Sequence, residues 1–123
     1  MGYNNDMKKF LVLYLAPAAG MAEWMAKPAE ERKEVEEKMK KEWGVWTGEH
    51  KDILKETAGA GATQKVTTEG VTSIKNDVML YSIVEAESPE VVAKAFEHHP
   101  HLGIPGGSIE IMPANALPGM DGM

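Results

Sequence analysis

The chain predicts an α+β fold of the ferredoxin-like plan, an antiparallel sheet with two helices on one face. Three observations lead there: an order of strand, helix, strand or hairpin, strand, helix, strand; a long helical stripe carrying Trp43 and Trp46; and central strands that are apolar on both faces. The last of these asks for a second cover. A symmetric homodimer of facing sheets, a dimeric α/β barrel, is the simplest way to supply it.

Residues 1–6, "MGYNND", are polar and aperiodic and read as a flexible N-terminal arm ahead of a domain spanning 7–113, with a C-terminal tail over 114–123. Lys8 to Leu15, "KKFLVLYL", is the first strand, because Phe, Val and Tyr favour a pleated surface and Pro17 stops it. From Pro28 the pattern turns helical. Val35, Met39, Trp43, Trp46, His50 and Ile53 recur three or four residues apart, and the intervening Glu and Lys form a solvated side. Thr57 to Asp77 holds alternating Val and Thr around a Glu69-Gly70 turn signal and reads as a hairpin or paired arm. Met79 to Glu85 is the next strong strand. Ser88, Pro89 and Glu90 then open a helix as N-cap, first-turn proline and acid, and Val91, Val92, Ala95 and Phe96 form its apolar face. Pro100 forces His99 out of helical geometry, so the helix ends there. Ser108 to Met112 alternates as the last strand and Pro113 closes it.

Composition limits the chemistry. The 123 residues suit one domain of ordinary composition, and the absence of cysteine excludes disulfides and thiolate nucleophiles. A metal site would therefore use His, Asp or Glu. The net charge is −6, Arg32 is the sole arginine, and the lysines are scattered among carboxylates, so no nucleic-acid partner is expected. The apolar run from Phe10 to Ala19 falls short of the ~20 residues of a membrane span, so no membrane partner is expected either. "MKKFLVLYLAPAAG" has the composition of a secretory signal, but its apolar part is only strand-length and completes the core, which predicts a cytoplasmic protein. Gly103, Gly106 and Gly107 lack the strand-loop-helix context of a phosphate loop, and no cofactor is expected.

The candidate site centres on "FEHHPHLGIPGG", which holds three of the four histidines. His98 falls on the last helical turn, while His99 and His101 bracket Pro100 in extended backbone and can point the same way. Two converging imidazoles can share a proton near neutral pH or hold a metal, although histidines also suit a helix C-terminus. Glu110 alternates with Ile109 and Ile111 and so faces the other side of the sheet, where a dimer cavity would make it a buried general base. His50 lies on the apolar stripe with Trp43 and Trp46, which fill the helix–sheet core or floor an aromatic pocket. Trp24, placed in a loop ahead of the helix, is a candidate lid, and Asp77 a candidate partner for a histidine.

The segments "MKKFLVLYLAP", "EWGVWTGEHKDIL", "KNDVMLYSIVEAES" and "FEHHPHLGIPGGSIEIMP" resemble the YCII-related proteins over residues 7–113. The resemblance implies a ferredoxin-like dimeric α/β barrel. The Asp-Gly-Pro-Phe stretch of related branches is absent, with Lys75-Asn76-Asp77-Val78 in its place, and the resemblance assigns the family's proposed catalytic His and Asp to no particular residues of this chain. The expected function is thus a small-molecule cleft with acid–base chemistry on a small organic substrate, His99, His101 and Glu110 acting as catalytic groups and His50, Trp43, Trp46 and His98 binding the ligand. Two alternatives stand beside it. One is a non-catalytic ligand-binding or dimer-assembly module, the other a histidine-based metal-binding protein.

Overall fold

The computed structural model describes residues 7–119, so the arm over 1–6 and the end of the tail lie outside the described residues. Six strands and three helices follow in the order β1 (Lys8–Leu15), α1 (Ala18–Ala26), α2 (Ala29–Glu49), β2 (Leu54–Gly59), β3 (Thr63–Thr67), β4 (Gly70–Ile74), β5 (Val78–Ala86), α3 (Pro89–Phe96) and β6 (Ser108–Pro113). The main sheet runs β2-β5-β1-β6 with every neighbouring pair antiparallel, which is the ferredoxin-like strand order.

Alternation along β1 sets the two faces. Phe10, Val12 and Tyr14 are buried, as are Val84 opposite Phe10, Ser82 opposite Val12 and, at the end of β5, Ala86, and Trp46 from α2 with Val92 and Phe96 from α3 close this side. Leu11, Leu13, Leu15, Tyr81 and Ile83 point the other way, outside the core cluster that the helices close among the described residues, and they are half-buried.

Two regions depart from the sequence reading. Residues Ala18–Ala26 form a helix rather than a loop; Pro17 starts it and the Asp77 carboxylate accepts the Ala18 N–H at 3.0 Å, a cap supplied from far along the chain. The Thr57–Asp77 stretch divides in two: β2 begins earlier and joins β5 in the main sheet, while β3 and β4 form a separate hairpin in register from Thr63↔Ile74 to Thr67↔Gly70. Thr68 and Glu69 make the turn, and Gly70, at φ 129°, opens β4 directly after it. Val66 and Val71 face each other across that hairpin and are 74% and 65% exposed. The helical stripe is real only in part. Of the 21 residues of α2, Trp46 alone is fully buried, with Trp43 packed beside it, and Val35 is exposed. No helix among the described residues is long and apolar enough to cross a membrane.

Candidate functional site

Helix α3 starts as its sequence dictates, with the Ser88 hydroxyl accepting the Val91 N–H at 3.3 Å and Pro89 in the first turn. It delivers Phe96 to the core and stops. His99 then takes the extended conformation (φ −62°, ψ 139°) that the following proline demands, and Pro100–Gly103 form a single 3₁₀ turn. His99 caps that turn: its Nδ1 accepts the backbone N–H of His101 at 3.0 Å. His101 in turn donates from Nε2 to the carbonyl of Leu15 at 2.7 Å, fastening the turn to the end of β1. The glycines after it are there for close approach. A Cβ on Gly107 would lie 2.8 Å from the His101 carbonyl oxygen, and Gly106 adopts φ 75° against Pro17.

His99 and His101 are 2% and 1% exposed, so both are interior groups. Each faces Tyr14, at ring-centroid distances of 5.3 and 5.6 Å. Around His99 stand Trp43 at 4.3 Å and Trp46 at 4.4 Å, both edge-on, with Phe96 stacked at 5.6 Å. The polar atoms of Tyr14 and Trp46 are engaged. Tyr14 Oη and Ser82 Oγ share a hydrogen bond of 2.7 Å, Ser82 and Thr57 another of 2.7 Å, and the Trp46 indole N–H donates to the Ala95 carbonyl at 3.0 Å. His99 Nε2 is the exception, buried and without a hydrogen-bond partner among the described residues. Because Nδ1 is an acceptor, the neutral ring carries its proton on Nε2. A buried donor left in this state costs about 1–3 kcal/mol, and the perpendicular indole of Trp43 returns at most a weak N–H···π contact. Burial first, and then the proximity of His101 and His50, lower the His99 pKa to about 4, so its ring is neutral at physiological pH. Burial likewise raises the Tyr14 pKa, against the opposing pull of its bond to Ser82.

The remaining candidates fall in three places. His50 ends α2, donates from Nδ1 to the Trp46 carbonyl at 2.8 Å and stacks on the Trp46 ring at 4.3 Å. His98 is exposed and, with Pro100, forms one side of a groove of about 580 Å³ whose other side is the second half of α2: Lys38, Lys41, Glu42, Val45, Trp46 and Glu49. Glu110 is exposed on the uncovered sheet face opposite Leu13, across the sheet from His99 and His101. The sequence therefore names residues that the fold divides: Trp46 and His98 line the groove, His99 and His101 lie behind its wall, and Glu110 shares no space with them.

Asp77 meets the start of α1 and not a histidine, and Trp24 donates to Glu36 at 3.2 Å, tying α1 to α2 away from the groove. Among the described residues no three His, Asp or Glu side chains converge as a metal shell. The sequence reading missed Tyr14, Ser82, Lys38 and Lys41. Alternation on β1 places Tyr14 on the face of Phe10 and Val12 and was the one signal available for it; nothing local marks the lysines.

No protein-family profile matches the chain. No curated protein matches it either. Among solved structures it is similar to 5-chloro-2-hydroxyhydroquinone dehydrochlorinase from Burkholderia phenoliruptrix in complex with 2,5-dihydroxybenzoquinone, at 12% identity and a TM-score of 0.48, covering 89% of this chain and 96% of that one. The fold assignment rests on the strand order and register given above.

Proposed function

We propose that the chain is a YCII-related protein that works as a homodimer of facing sheets and binds a small organic molecule in the groove between α2 and the turn after α3. The observation that carries this reading is the groove itself. Its volume of about 580 Å³ is within the range of small-molecule sites. Trp46, Val45 and Pro100 give it apolar surface, Lys38 and Lys41 give cationic donors, and His98 is an exposed imidazole suited to proton transfer. The segments that resemble YCII-related proteins and the ferredoxin-like sheet support the family, and the uncovered face with Leu11, Leu13 and Ile83 supports the second copy.

The test is a titration of the labelled protein with small aromatic acids, read from the backbone resonances of Val45, Trp46 and His98, together with an assay for chemical change of each ligand that binds. Saturable shifts in the groove with turnover lost in His98→Asn support an acid–base enzyme. Shifts with no turnover of any binder identify the non-catalytic binding module. Binding that moves only residues elsewhere overturns the site.

A further inference from the structure

We infer that the β3–β4 hairpin is a dimerisation arm that lays its Val66–Val71 face against a second copy of this chain. The inference rests on the homodimer reading and adds the element that clasps the partner.

The arm is built as ordered structure and yet stands outside the core of the described residues. Its two strands keep register through five residue pairs, from Thr63↔Ile74 to Thr67↔Gly70. Side chains lock that register: Gln64 Nε2 donates to Ser73 Oγ at 3.0 Å, Asn76 Nδ2 donates to Thr63 Oγ1 at 3.4 Å, and Thr67 Oγ1 accepts the Glu69 N–H at 3.1 Å. Every residue over 64–77 is nevertheless exposed. Composition does not suit that position. Thr63, Val66, Thr67, Val71, Thr72 and Ile74 are β-branched, which fits a covered pleated surface, and a lone two-stranded hairpin is marginal in water. Period two puts Val66 and Val71 on one face with Gln64 and Ser73, so the valines make an apolar spot next to the turn. Its cover has to come from another molecule.

Three observations point to a second copy. The first is where the arm is rooted. It lies between β2, which ends at Gly59, and β5, which begins at Val78, and the Ala60 N–H donates to the Met79 carbonyl at 2.9 Å. The arm thus leaves the sheet at the end of β5 from which Tyr81 and Ile83 go on to line the open face. A body seated on that face lies beside the arm's base. The second is area. Leu11, Leu13, Leu15, Tyr81 and Ile83 are already half-buried within one chain, so they supply only part of the ~800 Å² per partner that a stable dimer buries. The arm extends the same contact, and two-fold symmetry repeats the gain, each arm on the other body. The third is charge. Lys65 and Lys75 are balanced by Glu69 and Asp77, so the arm has no net charge to draw nucleic acid or an anionic membrane, and none to repel a second copy whose net charge is −6.

The test is sedimentation velocity over a dilution series of the natural chain and of the double variant Val66→Thr, Val71→Thr, which keeps β-branched side chains in the hairpin while making its face polar. The expected result is a dimer whose dissociation constant rises about tenfold or more in the variant. In a mixed dimer with one isotope-labelled copy, the Val66 and Val71 methyls should also show contacts to protons of the unlabelled copy, a readout that needs no variant. If the natural chain dimerises, the variant dimerises equally well and those methyls show no contact with the other copy, the inference is overturned, the arm is left to a different partner, and the homodimer reading stands. If the natural chain is monomeric at every concentration, both fall. Should the variant not fold, the methyl contacts of the natural chain decide alone.

Discussion

On the helix-covered face of the sheet, Phe10, Val12, Tyr14, Ser82 and Val84 are wholly buried; on the other face their chain neighbours Leu11, Leu13, Tyr81 and Ile83 keep part of their surface in solvent. The same two strands build both faces. What separates them is what lies opposite. The covered face meets α2, α3 and the histidine turn, while the open face lies outside that core cluster among the described residues and carries Glu56, hydrogen-bonded to Tyr81, on one edge and Glu110 on the other. Strand alternation therefore gives each side chain a direction, and only the partner layer turns that direction into burial.

The largest difference between the faces should appear on truncation. Phe10→Ala removes a fully buried ring and is expected to cost about 3–5 kcal/mol in urea unfolding at any protein concentration. Leu13→Ala on the open face is expected to cost clearly less in dilute solution, and its cost should grow with protein concentration if a second copy covers it. Equal costs at micromolar concentration would break the contrast.

The second effect is a pH dependence from the covered side. Between its ordinary value of 6.5 and about 4, His99 takes up a proton in the unfolded chain but not in the folded one. This contribution to stability is therefore complete above about pH 6.5 and is lost progressively as the pH falls toward 4. Urea midpoints of the natural chain and His99→Asn at pH 7 and pH 4.5 should converge at the lower pH; parallel loss in both would assign the effect to other groups.

Smaller changes sharpen the picture. Tyr14→Phe removes one hydroxyl while Ser82 keeps Thr57, so a loss of about 0.5–1.5 kcal/mol is expected by the same unfolding measurement. Val35→Ser, on the solvent-facing first half of α2, should change stability by no more than about 0.5 kcal/mol unless another molecule packs there. A loss of several times that would show that α2 is covered in solution.

Much of the frame is legible in the residues. Lys8–Leu15 is a strand because of its aromatic and β-branched content and the proline after it. Helix α3 follows from Ser88 and Pro89, and Glu110 is assigned to the face opposite Ile109 and Ile111 by period two alone. Helix α1 was missed because "AAGMAEWMA" carries no cap of its own; its N-terminus borrows Asp77. The long stripe of α2 was overread, since helical periodicity gives the apolar side of a helix but not how much of its length meets the sheet.

The sequence by itself determined the ferredoxin-like order of elements, the start of α3 and the direction of each strand residue, because those choices depend on backbone preferences within a few residues; α3 stops at Phe96, one turn short of the proline, so His98 lies beyond it. Only the tertiary structure decided that His101 would reach Leu15, that four aromatic rings would close around His99, and that His98 would be the histidine on the groove. Those outcomes depend on which distant backbone and side-chain groups the strand register brings opposite one another, and no local rule contains that register.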